Sequence, residues 1–126
     1  MKRFEVTGGT RLKGEITPQG AKNEALQIIS AVLLTAEKVT ISNIPDITDV
    51  NLLIELLQDM GVKTDRPSPD TCTFQADDIN VDHLGSAAFR VKSGRLRGSV
   101  MLAGPMLSRF KKAYIPKPGG DKIGRR

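Results

Sequence analysis

Apolar residues recur along the 126-residue chain at two spacings, and the switches between them mark out its elements. Across residues 21–34, Leu26, Ile29, Val32 and Leu33 fall near helical spacing and make one apolar stripe. A second helix is expected over residues 49–60. Thr48 is a capping residue type, Val50, Leu53, Ile54 and Leu57 form the inner face, and Gly61 is the stop. A third is expected over residues 95–109, with Leu96, Val100, Ala103 and Leu107 inward and a kink at Gly104-Pro105. Strand-like runs occupy residues 11–16, 39–43, 62–66, 72–76, 88–92 and 113–117, and Pro67-Ser68-Pro69-Asp70 reads as a hairpin turn.

This order contains a repeat. Gly20 opens the first helix and Val39 begins a strand 19 residues later; Gly94 opens the third helix and Ala113 begins a strand, again 19 residues later. An offset of 74 places Leu26 on Val100 and Leu33 on Leu107. The expectation is an α/β chain of repeated units over about residues 12–77 and 87–126, the second cut off before its second helix and hairpin. Such a repeat predicts the front piece of a longer protein.

Composition narrows the class. The chain is 39% hydrophobic and 26% charged, which is ordinary for a globular protein, while 4% aromatics and no Trp demand an aliphatic core. Cys72, the one cysteine, forms no internal disulfide and reads as a small buried hydrophobe. The first residues carry no apolar signal core, and the longest apolar stretch, residues 28–36, is too short to cross a bilayer. A cytoplasmic protein without a membrane partner is expected.

The net charge of +5 is unevenly spread: residues 90–126 hold eleven bases and one acid, residues 1–89 eight bases and thirteen acids. A basic final third suits an anionic partner. Phe110 and Tyr114, its two aromatics, lie in no nucleic-acid-binding motif, so a phosphorylated small molecule fits equally well.

Gly20-Ala21-Lys22-Asn23 lies at a strand-to-helix junction, where free N–H groups and the helix dipole attract anions. Lys22 adds a cation there and Asn23 a donor and an acceptor. The bland alternative is a solvated first turn. A Walker loop is excluded, because its Gly-Lys-Ser/Thr ending is absent. The offset of 74 carries Asn23 onto Arg97, so both units present polar groups at one corner. Gly119-Gly120-Asp121 permits close backbone approach to a ligand, its acid set among Lys117, Lys122, Arg125 and Arg126; a surface ion pair is the alternative. His83 has no ligand-type neighbour, and no metal-ligand spacing or Ser/His/Asp arrangement appears.

Together Gly20-Ala21-Lys22-Asn23, Leu96-Arg97-Gly98-Ser99, Ala103-Gly104-Pro105 and Pro118-Gly119-Gly120-Asp121-Lys122-Ile123-Gly124 resemble the UDP-N-acetylglucosamine enolpyruvyl transferases, in order along nearly the whole chain. The resemblance implies βαβαββ units around an inside-out α/β barrel, in a two-domain enzyme several times longer than this chain. Residues 1–20 would join the missing C-terminal domain and residues 21–126 would be an incomplete catalytic domain. It also implies a reaction without cofactor or metal. The 3′-hydroxyl of UDP-N-acetylglucosamine attacks C2 of phosphoenolpyruvate while C3 gains a proton, and phosphate then leaves. This would be the first committed step of peptidoglycan precursor synthesis.

By the same resemblance Lys22 binds phosphoenolpyruvate and helps stabilise the charged intermediate, Asn23 touches the reacting substrates, Arg97 binds the nucleotide sugar and Arg126 contacts phosphate. Asp121 stands where most members carry cysteine and a minority aspartate, and would be the proton donor. A carboxyl can serve if desolvation and nearby phosphates lift its pKa from about 3.9 toward working pH; basic neighbours act oppositely. Three alternatives stay open. The shikimate-pathway relative calls for Lys-x-Ser-x-x-x-Arg where this chain has Lys22-Asn23-Glu24-Ala25-Leu26-Gln27-Ile28. A free-standing anion- or nucleic-acid-binding module would bind oligonucleotides with salt-dependent affinity above that for UDP-sugar. An isolated piece would be inactive, its remaining active-site groups lying elsewhere.

Overall fold

The computed structural model describes residues 3–117. Elements run α1 (Lys22–Ala31), a 3-10 turn (Val32–Leu34), β1 (Lys38–Ile41), α2 (Thr48–Asp59), β2 (Lys63–Ser68), β3 (Thr71–Gln75), a 3-10 turn (Val81–Gly85), α3 (Ala87–Arg95), a longer 3-10 segment (Arg97–Leu102) and α4 (Ala103–Phe110). The sheet order is β1-β3-β2 and both pairings are antiparallel, so β1 and β2 run parallel with α2 as their crossover. Phe74 on β3 stands opposite Val39 on one side and Thr64 on the other. Cys72 and Phe74 alternate with half-exposed threonines and turn into the core.

The first two helices follow their apolar stripes. Leu26, Ile29, Val32 and Leu33 are all buried, as are Val50, Leu53, Ile54 and Leu57. Thr48 is not the cap: Ile47 holds that position without a side-chain bond, and Thr48 is the first helical residue. Gly61 ends α2 with φ of +105°, and a β-carbon there would lie 2.6 Å from the Asp78 carbonyl oxygen. The hairpin of β2 and β3 forms with Pro69 and Asp70 at its turn.

The expected third helix is a correction. Residues 95–109 are not one helix with a proline kink: α3 ends at Arg95, a 3-10 segment follows, and Gly104-Pro105 sits in the first turn of α4. A 3-10 helix repeats every three residues, so Leu96, Ser99 and Leu102 turn inward, followed by Met106. Val100 and Leu107, expected inside, are 45% and 51% exposed. Pro105 fits the first turn of a helix, where its missing N–H costs nothing.

Three expected strands do not form either. Residues 11–16 have strand-like alternation but no pairing among the described residues, with Leu12 and Ile16 over nine-tenths exposed. Residues 88–92 lie inside α3, because Ser86 accepts a hydrogen bond from the Phe89 N–H at 3.1 Å and caps a helix. Residues 113–117 are irregular; Tyr114 packs edge-on against Phe89 at 6.0 Å. Phe89 also meets the ring of His83, whose Nδ1 lies 3.4 Å from the Ser86 hydroxyl.

Candidate active site

Two close approaches build the site. Gly20 presses on the carbonyl of Asn43, a residue with φ of 58°, so that no β-carbon fits at Gly20. This fixes the turn that enters α1. Gly98 lies against Leu26, near enough that a β-carbon would stand 2.9 Å from Leu26 Cδ1. The start of the 3-10 segment is thereby held against the first turns of α1. Buried Leu96 and Ser99 anchor it, the Ser99 hydroxyl donating to the Ser93 carbonyl at 2.8 Å.

These contacts bring Lys22, Asn23 and Arg97 to one cleft of about 340 Å³, lined also by Leu26, Asp49, Gly98 and Met101. Lys22 is the first residue of α1; the N-cap residue, Ala21, makes no side-chain cap, which leaves the helix start to the dipole and to whatever enters the cleft. The Lys22 ammonium lies 3.1 Å from Asp49 Oδ2, with both side chains about half exposed. Arg97 is exposed at the cleft wall. The cleft thus gathers two cations, one carboxylate, the two amides of Asn23 and Gln27 and an apolar floor from elements more than seventy residues apart. It suits an anion with an apolar or sugar-like portion.

Sequence reasoning missed Asp49, and it placed Gly98 in a motif without seeing its contact with Leu26. Asp49 sits in the first turn of α2, where an acid is unremarkable, and only the packing of α1 on α2 sets it beside Lys22. Asp121 and Arg126 lie outside the described residues. A hydrogen bond from Lys63 lowers the Asp77 carboxyl and raises the lysine, while Ser68 and Thr71 donate to Asp70 and lower it. Among the described residues no group of His, Cys, Asp and Glu is placed to hold a metal ion.

Residues 6–126 match the profile described as EPSP synthase (3-phosphoshikimate 1-carboxyvinyltransferase). The chain belongs to the EPSP synthase family. Within it, the chain is 63% identical over all 126 residues to the UDP-N-acetylglucosamine 1-carboxyvinyltransferase of Porphyromonas gingivalis and 60% identical to that of Bacteroides thetaiotaomicron. A third relative of the same name, from Bradyrhizobium diazoefficiens, is 41% identical over 124 residues. The chain spans 28–29% of the length of these relatives. The enolpyruvyl transferase NikO from Streptomyces tendae superposes with a TM-score of 0.58 at 27% identity, covering 81% of this chain and 23% of NikO. The fold is therefore that of the enolpyruvyl transferases, of which the chain holds a part.

Proposed function

We propose that the protein, over the length its relatives span, transfers the enolpyruvyl group of phosphoenolpyruvate to the 3′-hydroxyl of UDP-N-acetylglucosamine and releases phosphate. The observation that carries this reading is the convergence of Lys22, Asn23 and Arg97 on one cleft, in a chain 60–63% identical along its whole length to transferases of that name. Lys22 neutralises the phosphoenolpyruvate anion and the charge that develops on it, Asn23 orients the reacting groups, and Arg97 holds the nucleotide sugar. Asp121 gives a proton to C3 as the sugar oxygen bonds to C2, and the 3′-hydroxyl gives up its own proton to a base supplied elsewhere in the full-length protein. A proton then leaves C3 as the C2–O bond to phosphate breaks, which restores the C2–C3 double bond, and Arg126 contacts phosphate groups. No cofactor enters these steps.

In this reading residues 1–20 belong with a second domain, which the exposure of Phe4, Val6, Leu12 and Ile16 supports, and units of about residues 12–77 and 87–126 belong to the catalytic domain. Residues 1–126 alone are then inactive. The reaction belongs to the cytoplasm, opens peptidoglycan precursor synthesis and so bears on cell shape and division; Asp121 in place of cysteine brings fosfomycin resistance. No described helix is long and apolar enough to cross a membrane.

Phosphate release from phosphoenolpyruvate tests the reading, with the full-length protein offered UDP-N-acetylglucosamine or shikimate 3-phosphate. Turnover with the nucleotide sugar alone is expected. Turnover with shikimate 3-phosphate alone, or none with either, overturns it.

A further inference from the structure

We infer that Asp49 is a positioning residue for Lys22, an inference that rests on the reading above. The contact joins the first turns of two helices, 27 residues apart in sequence, with Asp49 Oδ2 3.1 Å from Lys22 Nζ. The backbone that carries Asp49 is fixed: it lies in the first turn of α2, and its neighbour Val50 is wholly buried. A free lysine at a helix start has four rotatable bonds and no fixed geometry. An ammonium carries three N–H donors, so one bond to Asp49 leaves two for an anion in the cleft.

The carboxylate has a second effect. It sets a negative charge beside the place an anionic substrate must occupy, so it opposes ground-state binding while fixing the group that meets the developing charge. Removing it separates the two. Holding an exposed ion pair adds little to folding, which keeps the consequence in turnover rather than in stability. The Lys63–Asp77 pair, equally superficial and away from the cleft, supplies the control.

The experiment measures kcat and KM for phosphoenolpyruvate in the full-length protein and in its Asp49→Asn, Asp49→Glu, Lys22→Ala and Asp77→Asn variants, plus the Lys22→Ala/Asp49→Asn double variant. Asp49→Asn is expected to lower kcat roughly 10-fold, the scale of a displaced catalytic group, with KM unchanged or lower. Asp49→Glu recovers part of the loss, Asp77→Asn behaves as wild type, and Asp49→Asn adds nothing once Lys22 is gone. A normal kcat in Asp49→Asn, a rise in KM as its main effect, or losses that multiply in the double variant overturn the inference. If Lys22→Ala slows turnover and Asp49→Asn does not, this inference alone fails. If Lys22→Ala turns over normally, the role given to Lys22 fails, and this inference with it.

Discussion

Gly98 and Leu26 meet so closely that one added carbon has no room: a β-carbon at Gly98 would stand 2.9 Å from Leu26 Cδ1. The two residues belong to the segments that carry Arg97 and Lys22 to the same cleft. In Gly98→Ala the end of a leucine side chain must yield, and the lost chain freedom of the unfolded state offsets part of the strain. Stability should therefore change by less than about 1 kcal/mol. Turnover of the full-length protein should fall more, roughly 10-fold, because Arg97 shifts relative to Lys22. Leu26→Val in the same chain should restore part of it. Gly98→Ala with normal kcat and KM would show that this contact does not set the cleft.

A second contact holds the far end of the same layer. Arg109 Nη1 lies 3.1, 2.9 and 2.7 Å from the carbonyl oxygens of Leu33, Thr35 and Ala76, tying α4 to the end of the first helical segment and to the sheet. Arg109→Met should cost about 2 kcal/mol, read as a lower urea midpoint at constant slope. Arg109→Lys should recover part of the loss, since all three contacts fall on one nitrogen and an ammonium also offers three N–H donors. An unchanged midpoint in Arg109→Met would mean that water serves those carbonyls equally well.

How far the sequence disclosed this arrangement depends on which force decides each segment. The stripes of α1 and α2 were readable because burial at 3.6-residue spacing decides them, and the hairpin because Pro69 and Asp70 dictate a turn. Residues 97–102 misled because a 3-10 helix moves the inward positions to Ser99 and Leu102, and a buried serine is not an apolar signal. Ser86 ahead of Ala87-Ala88 was a readable cap that the β-branched Val91 and aromatic Phe89 masked. Lys22, Asn23 and Arg97 were legible as a group through the family motifs, whereas the offset of 74 paired buried Leu26 and Leu33 with exposed Val100 and Leu107. Asp49 was not, since a long-range helix contact leaves no local mark.

Cys72 should behave as a core residue rather than a reagent. It is 2% exposed, and burial pushes its thiol above the ordinary value of 9.0. The folded state thus holds the thiol proton more tightly than the unfolded chain. That contribution to stability is fully present below the unfolded value and is lost as pH rises through the folded one, so the urea midpoint should decline above about pH 9. Cys72→Ser should flatten that decline. Alkylation by iodoacetamide near pH 8 should follow unfolding, appearing in urea and not in buffer. Rapid modification of the native protein would contradict the buried placement.

The response to fosfomycin tests the role proposed for Asp121. A thiolate opens the epoxide of this phosphonate to give a lasting thioether, whereas a carboxylate is a far weaker nucleophile toward an epoxide and its ester can hydrolyse. The full-length protein should therefore keep its turnover in fosfomycin and show no stable adduct by mass spectrometry, and Cys72, buried in β3, should not substitute. Proton donation has a separate signature. A carboxyl donor must be protonated, so activity should fall as pH rises through its pKa. Asp121→Cys should carry activity to higher pH, since a thiol ordinarily holds its proton to a higher pH than a carboxyl does, and it should gain sensitivity to the drug. Asp121→Asn keeps the size of the side chain but has no acidic proton, so turnover should drop by about 100-fold or more. Normal turnover in Asp121→Asn, or rapid inactivation of the wild type with the drug attached at Asp121, would remove this residue from the chemistry and leave Lys22, Asn23 and Arg97 as a binding cleft whose proton donor lies elsewhere.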